Sequence, residues 1–106
     1  VEPGAVTDEP LDRDTGKQYH FRVKGRHRPT LAAIFADPVR SGIVWSDIEA
    51  LLQACGAEVE EGRGSRVRIA LNGVRAVFHR PHPQKETDKG AVKSVRRFLT
   101  EAGIEP

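Results

Sequence analysis

The chain has 106 residues, of which 38% are hydrophobic and 30% charged, and a net charge of +2. That length supports one domain with one modest core, and no apolar run approaches the roughly 18 residues a membrane helix needs. The single cysteine, Cys55, excludes an internal disulfide and any cysteine-cluster metal site, and its apolar helical neighbours assign it to the core. No signal peptide is visible, so the expected compartment is the cytoplasm. The small net charge hides an asymmetry. Residues 62–99 hold ten Lys/Arg against Glu86 and Asp88, whereas residues 31–61 hold Arg40 against six acids. A basic block on a small domain points to an anionic partner, RNA phosphates foremost.

Residues 1–25 carry Pro3-Gly4, Asp8-Glu9-Pro10 and Asp12-Arg13-Asp14-Thr15-Gly16 without sustained periodicity. They read as a flexible tail with at most a short ordered piece at Tyr19–Val23. His20 and His27 in this polar region are expected to be solvated. Thr30 is expected to cap a short helix over Leu31–Ala36, stopped by Asp37-Pro38. Residues 39–44 read as a loop. Trp45-Ser46-Asp47-Ile48-Glu49 then predicts a helix start, with Ser46 and Glu49 forming a capping box and Trp45 as its hydrophobic staple. Ile48, Leu51, Leu52 and Cys55 recur at helical spacing, and Gly56 ends the helix.

Three strands are predicted next. Ala57–Glu61 is short, and Gly62-Arg63-Gly64 turns the chain. Ser65–Leu71 alternates, with Val67, Ile69 and Leu71 on one face and Arg66, Arg68 and Ala70 on the other. Asn72-Gly73 predicts a type I′ hairpin turn into Val74–His79. A two-residue turn fixes the register, pairing Leu71 with Val74, Ile69 with Ala76 and Val67 with Phe78. On the opposite face Arg68 meets Val77, and Arg66 meets His79. Arg80-Pro81-His82-Pro83 leaves the sheet. Thr87 or Asp88 caps a last helix whose buried stripe is Val92, Val95, Leu99 and Ala102, with Phe98 beside it, and which carries Lys89, Lys93, Arg96 and Arg97 as a basic stripe. Gly103 ends it.

Several local segments, in this order, resemble the HicA toxin family over residues 45–106. They are Ala54-Cys55-Gly56-Ala57-Glu58-Val59, Gly64-Ser65 before the second strand, Arg80-Pro81-His82 at the sheet exit, Lys89-Gly90-Ala91-Val92 at the last helix, and Ala102-Gly103-Ile104. The resemblance implies an α+β, double-stranded-RNA-binding-like α-β-β-β-α fold. In it a three-stranded antiparallel sheet carries two helices on one face, here with a short N-terminal helix added. Residues 1–29 are then a flexible tail and 30–106 one HicA-like domain, and residues 1–44 have no counterpart in the short members of the family. The resemblance also implies a type II toxin: an mRNA interferase acting on messenger RNA and neutralised by a HicB-type antitoxin. The family's catalytic histidine follows Gly-Ser, where this chain has Arg66.

Metal-independent RNA cleavage needs a base near the 2′-hydroxyl, an acid for the leaving oxygen and cations for the phosphate. Histidine suits the first two roles, and arginine the third. The expected catalytic set is therefore His79 opposite Arg66, with His82 at the sheet exit. The expected RNA contacts are Arg66, Arg68, Arg75, Arg80, Lys89, Lys93, Arg96 and Arg97. Four scattered histidines without nearby paired carboxylates make no metal site, and no cofactor is expected. Two alternatives stay open: a non-catalytic RNA-binding regulator of the same fold, and a protein-interaction module.

Overall fold

The computed structural model of the chain describes Val23 and residues 25–106. The expectations placed on residues 1–22, His20 among them, lie outside the described residues. A 3-10 turn (Gly25–His27) leads into α1 (Arg28–Ile34), β1 (Ile43–Val44) and α2 (Trp45–Ala54). The strands β2 (Glu58–Glu61), β3 (Arg66–Leu71), β4 (Val74–His79) and β5 (Glu86–Thr87) follow, and then α3 (Lys89–Glu101). The architecture is α+β, and α2-β2-β3-β4-α3 is the α-β-β-β-α order expected for a double-stranded-RNA-binding-like fold.

The sheet runs β2-β3-β4, antiparallel throughout. Asn72 and Gly73 both lie at positive φ, 52° and 83°, as a type I′ turn requires. The register is the expected one: Leu71 pairs with Val74, Ile69 with Ala76, Val67 with Phe78, Arg68 with Val77 and Arg66 with His79. Val67, Ile69, Leu71 and Phe78 are buried and face the helices. The helices answer with Ile48, Leu51, Leu52 and Cys55 from α2, and Val92, Val95, Phe98 and Leu99 from α3. Phe78 joins both helices: its ring lies 5.8 Å from that of Trp45 and 5.7 Å, edge-on, from that of Phe98. Each fully buried Leu or Ile contributes about 2 kcal/mol of transfer free energy, so this face holds the domain together.

Several local expectations are corrected. The first helix starts at Arg28, not Leu31, and Thr30 lies inside it rather than capping it. Pro29 explains the earlier start, because its fixed φ and missing N–H suit the first helical turn. The Ser46–Glu49 capping box does not form. Helix α2 begins at Trp45, after Val44 in extended conformation, and has no side-chain cap. Trp45 is thus part of the first turn, buried to 4% exposure. The expected loop 39–44 contains β1, which pairs with β5 (Ile43 with Thr87, Val44 with Glu86) and ties the sheet exit to the start of α2.

His27, expected in solvent, is buried, and its Nε2 accepts a hydrogen bond from Arg26 Nε. The reason is tertiary. Val23, Leu31 and Ile34 join the core, so the chain around His27 is drawn in with them. Helix α1 lies against α2 and α3. Arg96 fastens it there, with Nε donating to the Ile34 carbonyl (2.9 Å) and Nη2 to that of Ala36 (2.7 Å). The Arg96 guanidinium also sits 5.9 Å from the centre of the Phe35 ring. At the other end, Asp88 caps α3 by accepting from the Ala91 N–H at 2.8 Å. The Asn72 side chain donates to the Ala102 carbonyl at 2.8 Å, joining the hairpin turn to the C-terminal end of α3.

Candidate functional site

The helices cover one face of the sheet. Among the described residues the other face is open, and strand alternation decides what it presents. One row is Arg66 on β3 beside His79 on β4. The next row is Glu60, Arg68 and Val77, and the third is Glu58, Ala70 and Arg75. Alternate residues on a strand are roughly 7 Å apart, so the rows are spaced by about that distance. Arg66 and His79 are both exposed. The hairpin therefore sets a cation that can hold a phosphate next to an imidazole that can move a proton.

Beyond that row the face forms an open cradle of about 750 Å³, lined by Glu58, Glu60, Arg68, Ala70, Arg75 and Val77 among others. Val77 is 55% exposed, the one exposed large hydrophobic side chain among the described residues. Arg68 Nε lies 3.1 Å from Glu60 Oε1. Both side chains are well exposed, so the pair adds little stability, but it orients the two groups.

Other expected site residues are occupied inside the protein. Arg80, expected to bind RNA, pairs with two carboxylates of the protein. Its Nε and Nη2 hold Glu49 at 2.6 and 3.1 Å, and Nη1 holds Glu61 at 2.7 Å. Its backbone N–H donates to the Ser65 carbonyl at 2.8 Å. The hydrogen bond to Glu49, then that to Glu61, raises the Arg80 pKa and keeps the guanidinium charged. The same contact holds the Glu61 carboxyl below its ordinary range. Arg96, also expected on RNA, directs Nε and Nη2 at the C-terminal end of α1. Both arginines thus hold other parts of the protein as well as standing at positions expected to contact RNA. The exposed face of α3 keeps Lys89, Lys93 and Arg97 at four-residue spacing, on the helical side of the core from the open sheet face. The expected RNA contacts therefore divide between two sides of the molecule. His82 is exposed in the exit segment and lines neither the sheet cradle nor the smaller cleft beside Arg80.

The sequence reading missed Glu49. It accepts from both Trp45 Nε1 and Arg80, the partners that displace the capping box. It also missed Glu58 and Glu60 as members of the open face. The inward placement of Val59 was the signal for them, since its neighbours on either side must then point outward. Burial raises the Cys55 pKa, which fits a packed thiol rather than a reactive one. Among the described residues no group of three or more His, Cys, Asp or Glu is placed to hold a metal, and no helix is long and apolar enough to cross a membrane.

The family model described as HicA toxin of bacterial toxin-antitoxin matches residues 45–104. That span runs from the first residue of α2 to just past α3, and leaves α1 and β1 outside it. No curated protein and no solved structure matches the chain.

Proposed function

The chain belongs to the HicA toxin family of bacterial toxin–antitoxin systems, and from that premise we propose that it is an RNA-cleaving toxin centred on the Arg66–His79 pair. The observation that carries this reading is the register, which sets Arg66 directly across from His79 on the open sheet face. Arg66 occupies the position after Gly-Ser where the family's histidine is expected. It is too basic to take a proton, and its fork instead suits the two non-bridging phosphate oxygens. His79 takes the proton from the ribose 2′-hydroxyl. The 2′-oxygen then bonds to phosphorus, the bond to the 5′-oxygen breaks, and that oxygen takes a proton from His82. The products are a 2′,3′-cyclic phosphate and a 5′-hydroxyl. Lys89, Lys93 and Arg97 give the RNA a second set of phosphate contacts on the helical side. A HicB-type antitoxin neutralises the protein by covering the open sheet face.

His79→Ala is the test. Cleavage of a single-stranded RNA should fall by about 10²-fold or more, the usual scale for a lost general base. The melting temperature should hold, because His79 is exposed. Undiminished cleavage would remove His79 from the reaction. RNA binding with no cleavage by the unaltered protein would favour the non-catalytic alternative, the reading that an arginine at position 66 supports.

A further inference from the structure

The open sheet face holds a second recognition feature beyond the Arg66–His79 row. The cradle next to that row has a small apolar floor, Ala70 and the exposed Val77. It has cations at both ends, Arg66 in the row before it and Arg75 in its own far row. Along one side run two carboxylates, Glu58 and Glu60, on the edge strand β2. A surface that only gripped phosphates would not carry carboxylates there, since they repel the backbone. Carboxylates beside a flat apolar and guanidinium surface suit a nucleobase instead. Single-stranded bases stack on arginine planes and are read along their hydrogen-bonding edges. The volume of about 750 Å³ falls within the range of ligand pockets and accommodates a base.

We propose that this cradle is the subsite for the nucleobase adjoining the scissile phosphate, and that it selects guanine. The inference rests on the RNA-cleaving reading above and gives it a base preference. Guanine is the base whose Watson–Crick edge carries two adjacent donors, an N–H and an amino group, and a carboxylate accepts both at once. Glu60, oriented by Arg68, supplies that two-oxygen acceptor, and Glu58, one row on, takes the remaining amino hydrogen. The base lies over Val77 and the Arg68 guanidinium. The phosphates on either side of it fall on Arg66 and Arg75.

The test uses the full chain and short RNAs in which every 2′-hydroxyl is methylated, so that binding is read without cleavage. Trinucleotides differing only in the central base are titrated by fluorescence anisotropy. Guanine should bind about tenfold tighter than uracil or adenine, the scale of one well-made bidentate base contact. Inosine, which lacks the 2-amino group, should lose most of that advantage. Glu58→Gln and Glu60→Gln should each shrink the guanine preference to about threefold or less while raising affinity for all sequences, because a charge that repels phosphate is gone. Equal binding of all bases by the unaltered protein would overturn the subsite and leave the cleavage reading standing. Failure to bind any RNA would overturn both. If Glu58→Gln and Glu60→Gln both left the guanine preference at its full size, the carboxylates would not read the base and the subsite would also be overturned.

Discussion

Glu49 shows how much one side chain can depend on distant partners. Its spacing from Ser46 suggests a helix-capping role, yet Trp45 Nε1 and the Arg80 fork both reach it. A local capping contact is worth about 1 kcal/mol. A charge-assisted, two-point contact with a partly buried arginine is worth more, and leaving that arginine unpaired would cost more still. The competition is therefore settled by residue 80, which no rule confined to four neighbouring residues can see. Glu49→Ala should destabilise the fold by about 2 kcal/mol in denaturant titrations, since it strands the indole N–H of Trp45 and leaves Arg80 with Glu61 as its remaining carboxylate. Ser46→Ala should change stability by only a few tenths, because Ser46 caps nothing.

Among the elements, the hairpin was the most legible in the sequence and the N-terminal addition the least. Asn72-Gly73 admits only a narrow set of backbone geometries, and alternation then fixes every cross-strand pair, including Arg66 with His79. The α3 cap and buried stripe were legible for the same reason: each depends on spacing within one element. Helix α1 depends on what lies outside it. Its hold on the domain comes from Arg96, some sixty residues away, and from a core surface that exists only after folding. The burial of His27 follows from that docking and has no local signature. Arg96→Ala should cost about 2 kcal/mol by removing two charge-assisted hydrogen bonds. Amide hydrogen exchange should rise at Phe35 and Ala36 first, whereas Arg97→Ala, on the exposed side, should leave that segment protected.

For the molecule as a whole, the split of basic residues between two sides decides how charge substitutions should act. The sheet face mixes Arg66, Arg68 and Arg75 with Glu58 and Glu60, so its net charge is small and its contribution is positional. The α3 side carries Lys89, Lys93 and Arg97 without acids interleaved at that spacing. Replacing those three together by glutamine should weaken RNA binding evenly across sequences. It should also flatten the dependence of log affinity on log salt by about two, at roughly 0.7 for each phosphate of a single strand that is no longer neutralised. Arg66→Ala should mainly slow cleavage and change the salt slope by less than one. An unchanged slope in the triple variant would confine the RNA to the sheet face.

The grip of Arg96 on α1 also bears on what can vary. It holds the carbonyl oxygens of Ile34 and Ala36, groups that every amino acid carries. The latch therefore reads the place where the helix stops and is indifferent to which side chains stand there. Leu31 and Ile34 must remain apolar and of similar volume to fill the surface beneath, with Ala33 and Phe35 packed beside them. The matched toxin segment thus contains, in one arginine of its last helix, a socket for the end of a helix that lies outside the matched residues. Substitutions at its exposed positions, Arg28 and Ala32 among them, should leave that hold in place.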